Sequence, residues 1–101
     1  MPAFVKVAGV SDVPPGTVKE VEANGKLIAL ANVEGQFYAL DNVCLHQGGP
    51  VGQGVLEGHQ VECPWHGWQY DVKSGQCVFN PVAQLATYEV KVDGGDVLVA
   101  I

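Results

Sequence analysis

Apolar residues recur along this chain in short runs, and turn-forming residues interrupt them at close intervals. Asn24-Gly25 separates Thr17–Ala23 from Lys26–Val33, and Glu34-Gly35 leads from there into Gln36–Leu40. Further on, Gly58 precedes Gln60–Glu62, Ser74-Gly75 follows Tyr70–Val72, and Gly94-Gly95 separates Thr87–Asp93 from Asp96–Ile101. Short apolar-rich runs bounded by Gly, Asn and Ser predict strands joined by hairpin turns. Thr87–Asp93 alternates cleanly, which predicts one strand with a buried face and a wet face. Gln76–Phe79 reads as a further strand, holding Cys77 as a small buried hydrophobe. No stretch sustains a helical period over ten residues, and 13 glycines and six prolines work against one. The pattern predicts an all-β chain of about nine or ten antiparallel strands, a small β-sandwich or barrel.

At 101 residues, 48% of them apolar and 16% charged, the chain is one ordinary globular domain with a single core to fill. Acidic residues outnumber basic ones 11 to 5, for a formal net charge of −6. All five cations are lysines. A nucleic-acid binder needs clustered cations to displace counterions from phosphate, so no nucleic-acid partner is expected. Anionic membrane surfaces are disfavoured on the same ground. No unbroken apolar run is longer than Leu27–Ala31, which falls far short of the roughly 20 residues that a membrane helix needs. The N-terminus shows no basic segment followed by an apolar stretch, and three cysteines cannot all pair, so a reduced, cytoplasmic setting is expected.

Between Asn42 and Pro81 the texture changes. This segment is Gly-rich and gathers all three cysteines and all three histidines, while 1–41 and 82–101 contain neither. The natural partition of the single domain is a β base made from 1–41 and 82–101, carrying an inserted segment, 42–81. Within that segment Cys44-Leu45-His46 and Cys63-Pro64-Trp65-His66 are separated by 16 residues. Two soft thiolates and two imidazoles suit zinc or an iron–sulfur centre. Two short Cys/His loops facing one another grip a two-centre object well. A single zinc ion more usually draws on a Cys-x₂₋₄-Cys knuckle, which this chain lacks.

These residues resemble a known family. Cys44-Leu45-His46 followed by Cys63-Pro64-Trp65-His66-Gly67 is similar to the Rieske-type [2Fe–2S] signature, and the likeness continues through Gly48-Gly49-Pro50, Gly54, Trp68-Gln69-Tyr70-Asp71, Ser74-Gly75 and Pro81. The resemblance implies the Rieske fold, with the cluster-binding segment forming a subdomain on the base. It implies one [2Fe–2S] cluster with Cys₂His₂ ligation: Cys44 and Cys63 on the inner iron, His46 and His66 on the outer one. Trp65, Trp68, Tyr70 and Pro81 are the expected surroundings of that cluster. In the family a tyrosine at the place of Tyr70 donates to a cysteine ligand sulfur.

Departures from the family pattern bear on the subtype. High-potential Rieske proteins carry a further cysteine in each loop, linked as a disulfide; those places here are Gly49 and Trp65. Such proteins also set a serine hydroxyl against a bridging sulfide, where this chain has Trp68. Fewer donors to sulfur stabilise the reduced state less, so the expected midpoint lies at the low end of the Rieske range, roughly −150 to 0 mV.

The resemblance implies a ferredoxin that takes one electron from an NAD(P)H-dependent flavoprotein reductase and passes it to a terminal oxygenase. Both partners would dock transiently at the histidine end of the cluster, and the chain alone would catalyse nothing. Residues 45–50 and 64–68 contain no charged side chain, which suits such docking. Trp65-His66-Gly67-Trp68 is also similar to the N-terminal domain of the oxygenases, but no room is expected here for their mononuclear-iron domain. Two alternatives stay open at this point: the small Rieske-like subunit of an NAD(P)H nitrite reductase, and a zinc-stapled β interaction module. His59, following Gly58 in a turn, reads as a solvated surface residue.

Overall fold

The computed structural model describes residues 3–43, 49–65, 67–78 and 83–101. Ten strands fall among them: β1 Phe4–Gly9, β2 Thr17–Ala23, β3 Lys26–Val33, β4 Gln36–Asp41, β5 Val55–Glu57, β6 Gln60–Glu62, β7 Gln69–Asp71, β8 Thr87–Tyr88, β9 Val90–Asp93 and β10 Asp96–Ala100. Helical structure among the described residues is confined to two 3-10 turns, Val10–Asp12 and Val51–Gln53. The expectation of an all-β antiparallel fold holds.

Three sheets form, with orders β1-β10-β9, β2-β3-β4-β8 and β5-β6-β7, and every pairing within them is antiparallel. The turn at Asn24-Gly25 puts both residues at positive φ, 53° and 80°, which matches the twist of the strands it joins. Glu34-Gly35 repeats that geometry.

The second sheet is central and packs on both faces. Ile28 and Leu30 of β3, with Val21, Ala23, Phe37 and Ala39, meet Val97 and Val99 of the first sheet in one core. Ala29 and Ala31, on the opposite face of β3, meet Leu56, Val61, Cys63 and Tyr70 of the third-sheet region in a second core. Burial on both faces accounts for the apolar run Ile28–Ala31 within β3, while Leu27 before it stays 49% exposed.

Two expected strands come out differently. Thr87–Asp93 is not one strand: β8 pairs with β4 through Ala39↔Tyr88 and Leu40↔Thr87, whereas β9 pairs with β10. Glu89 is the corner, its carbonyl accepting the Ala100 N–H at 2.9 Å. Tyr88 and Val90 both pack against the core between the two sheets, so the segment crosses from one sheet to the other around that core. Only part of its alternating face is covered, and Val92 stays exposed.

Residues 76–78 form no strand either. Cys77 bridges Tyr70, flanked by the Asp71 N–H on the Gln76 carbonyl and the Val78 N–H on the Gln69 carbonyl, each at 2.9 Å, so 76–78 lies antiparallel beside β7 through a single bridge, and Gln76 also bridges Gln84. Phe79 lies outside the described residues. Cys77 is buried as expected, in the second core. β1 and β5 are strands that turn residues alone had not marked out. The third short strand of that sheet, β7, begins and ends one residue before the run Tyr70–Val72.

Candidate metal centre

Of the four proposed ligands, Cys63 is among the described residues; Cys44, His46 and His66 lie outside them, as does Pro81. The structure fixes the ground on which both motifs stand. Cys63 opens the connection between β6, which ends at Glu62, and β7, which begins at Gln69. Its N–H donates to the Trp68 carbonyl at 2.7 Å, drawing the two ends of Cys63–Trp68 together. Val61 and Tyr70, paired across the ladder, anchor that connection in the second core. Cys63 is 0% exposed and outside any disulfide.

The first motif follows β4. Val43 and Pro50 face one another in an antiparallel bridge, so the chain comes back to the place where it left. Its return brings Gly49 hard against the second motif. A Cβ at Gly49 would lie 2.9 Å from the Cys63 sulfur and 2.8 Å from Trp65 Cγ, closer than such atoms approach. The glycine is therefore required by space, and the segment that carries Cys44 and His46 ends against the thiol of Cys63. The donor set, two thiols and two imidazoles, fits a [2Fe–2S] group of mixed ligation.

The aromatic residues separate into two environments. Tyr70 is fully buried in the same core as Cys63 and Cys77. Trp68 is half-buried and packs against that core. Trp65 covers Gly49 yet remains 50% exposed, and Val43, bridged to Pro50, is 60% exposed. The rim next to Cys63 is thus apolar and reachable. Glu62 is the nearest charge along the chain, its carboxylate taking the Gln69 amide at 3.3 Å. His59 is exposed as expected, 3.5 Å from the Asp71 carboxylate.

Sequence reasoning missed a group of residues around the base of the first motif. Asn42, 3% exposed, is held by Glu20 of β2, and its own side-chain oxygen accepts the Gly52 N–H at 2.7 Å. Gln53 donates to the second oxygen of Glu20 at 2.8 Å. Glu20 sits 22 residues before Asn42 and 33 before Gln53, and no local pattern links them.

Residues 3–89 match the family model described as Rieske [2Fe–2S] domain. The chain is 41% identical over 91 residues to the ferredoxin component of the naphthalene 1,2-dioxygenase/salicylate 5-hydroxylase systems of Ralstonia sp., covering 89% of this chain and 88% of that one. It is 38% identical over 97 residues to the ferredoxin component of the naphthalene 1,2-dioxygenase system of Pseudomonas aeruginosa, covering 95% and 93%. Its fold superposes with a TM-score of 0.88, at 35% identity, on a chain from the complex of reduced oxygenase and oxidized ferredoxin in carbazole 1,9a-dioxygenase, covering 99% and 94%. With β1 to β8 and both Cys/His motifs of the sequence inside residues 3–89, the chain belongs to the Rieske [2Fe–2S] domain family.

Proposed function

We propose that this chain is the electron-carrying ferredoxin of a multicomponent oxygenase. Cys44 and Cys63 hold one iron of the cluster, and His46 and His66 hold the other. When bound, the cluster supplies a store for a single electron. The surrounding chain positions the ligands, keeps water from the sulfur of Cys63, and offers a surface for partners. The observation that supports this reading is the packing of Gly49, three residues past His46 in the chain, on the sulfur of Cys63. The names of the relatives support it: each high-coverage relative cited is a ferredoxin component of a dioxygenase system.

The electron comes from an NAD(P)H-dependent flavoprotein reductase and leaves to a terminal oxygenase. Both meet the histidine end; the exposed Trp65 and Val43 next to the two motifs in the chain, and the lack of Asp, Glu, Lys or Arg in 45–50 and 64–68, support an apolar docking rim. A small apolar patch with little charge favours brief encounters. The base is 1–41 and 82–101, and the cluster-binding subdomain is 42–81. The protein works in the reducing cytoplasm. No described helix is long and apolar enough to cross a membrane.

An EPR spectrum of the purified protein after anaerobic reduction with dithionite tests the ligand set. A rhombic signal with the lowered average g of mixed Cys/His ligation is expected, together with iron and acid-labile sulfide. Colourless protein carrying zinc in place of iron would overturn the reading in favour of a zinc-stapled module. Copurification with a large sirohaem subunit would replace the oxygenase with a nitrite reductase.

A further inference from the structure

We propose that Glu20 is a positioning residue for the iron-binding segment, clamping both ends of that segment to β2 without touching the metal centre. The proposal rests on the reading of Cys44 and His46 as ligands. The segment leaves through Asp41–Val43 and returns through Pro50–Gln53. Those two stretches are tied by the Val43–Pro50 bridge, by the Val51 N–H to the Asn42 carbonyl at 2.8 Å, and by the Gly52 N–H to the Asn42 side-chain oxygen at 2.7 Å. Because that oxygen is engaged by Gly52, the Asn42 NH₂ must face an acceptor. Glu20 Oε2 is that acceptor. Glu20 Oε1 takes the NH₂ of Gln53 on the returning stretch. One side chain from the base thus holds the outgoing and the returning chain together.

The chemistry of the clamp suits a carboxylate. Both neighbours present N–H donors, and a carboxylate is acceptor-only, with an oxygen for each. An amide at position 20 has nearly the same shape but one acceptor oxygen in place of two: with that oxygen toward Asn42, its NH₂ faces the Gln53 NH₂ until the exposed Gln53 amide turns its own oxygen inward. A buried polar group without its partner is costly, so the same shape does not keep the same contact. Space is equally constrained: a Cβ on Gly52 would come within 2.7 Å of both Asn42 Oδ1 and Glu20 Cγ. Metal ligands depend on the residues that orient them, so a slack stem displaces Cys44 and His46 relative to Cys63 and His66.

Three iron-loaded full-length proteins decide the matter: wild type, Glu20→Gln, and the exchange Glu20→Gln with Gln53→Glu. In the exchange the new amide oxygen at 20 accepts from Asn42 while its NH₂ donates to the new carboxylate at 53, at unchanged net charge. The readouts are the half-life of visible absorbance under an iron chelator, the EPR linewidth and g values, and the midpoint potential. They are taken at a temperature where circular dichroism shows each protein fully folded. Glu20→Gln is expected to shorten the half-life about tenfold, the factor equivalent to about 1.4 kcal/mol, and to broaden the EPR signal. The exchange is expected to recover most of both. Gln53→Ala, which frees one exposed arm, gives a smaller change in the same direction and stands in if Glu20→Gln does not fold. Wild-type half-life and EPR in Glu20→Gln, or in Gln53→Ala where the former does not fold, would overturn the clamp. So would failure of the exchange to recover them, which, at unchanged net charge, would tie the effect to position 20 alone and not to its hydrogen bonds with Asn42 and Gln53. A wild type without iron would instead overturn the ligand reading beneath it.

Discussion

Position 49 shows how much depends on one missing methyl group. Gly49 lies where Trp65 and the Cys63 sulfur leave under 3 Å for a Cβ, so Gly49→Ala must push one of them aside. Overpacking of this kind costs about 1–3 kcal/mol. Gly49→Ala is expected to lower the thermal midpoint and to lose cluster colour sooner. Trp65→Ala added to it should recover part of that loss, because the indole clash goes while the sulfur clash stays. Additive losses in this double-mutant cycle would show that the two residues do not meet. Cys77 provides the contrast: buried in the same core as Cys63, it is expected to be replaceable by Ala with iron content unchanged, whereas Cys63→Ala should abolish the iron. The proposed ligands stand out in the sequence because metal ligation calls for fixed residue types at short spacing. The two tryptophans were less so. They read alike in sequence, yet Trp68 packs on the core and Trp65 stands half in solvent, a division set by how the connection folds over Gly49.

The strands were largely legible for a similar reason, since β2, β3 and β4 are bounded by turn residues that leave the backbone few choices. The corner at Glu89 was hidden, because Tyr88 and Val90 stay two residues apart and keep the same core as the chain changes sheets. That corner places Tyr88 over β4, where the Asp41 carboxylate accepts the phenol at 2.6 Å and the Lys26 ammonium at 3.1 Å. Burial, followed by the hydrogen bond to Asp41, raises the Tyr88 hydroxyl above its ordinary 10.0. Hydrogen bonding to Tyr88 and Asp41 raises the Lys26 ammonium above 10.5. Both groups are held protonated by the fold. Their contribution is complete below the ordinary values and disappears as pH climbs through the raised ones, where the unfolded chain has already released its protons. The urea midpoint is therefore expected to fall above pH 10, and Tyr88→Phe should flatten that fall. A Tyr88→Phe protein with the wild-type alkaline slope would remove the phenol from the account. The linkage crosses β3, β4 and β8, and could not be read from residues 47 positions apart in sequence.

For the whole molecule, the charge balance and the surroundings of the proposed cluster act on the same quantity. Reduction adds one electron to a chain whose formal net charge is already −6. Each nearby carboxylate raises the free energy of the reduced form, through solvent and therefore weakly, but with one sign overall. Locally, Gly49 and Trp65 occupy the two places where a high-potential relative has a disulfide, and they lie against each other. Trp68 stands where a serine hydroxyl would otherwise donate. Both scales push the midpoint down, to roughly −150 to 0 mV within the Rieske range; a redox titration with a midpoint well above +200 mV would refute this. Salt separates the two contributions. Exposed charges are screened beyond about 10 Å at 0.1 M ionic strength, while hydrogen bonds to sulfur are not. Raising the ionic strength should therefore lift the midpoint, by relieving repulsion between the added electron and the acidic surface, until the local contribution alone remains. A midpoint independent of salt would assign the low potential to the cluster surroundings. One that falls with salt would mean the field at the cluster is positive despite the net charge, and the partner surface at the histidine end would then have to be sought against an acidic face.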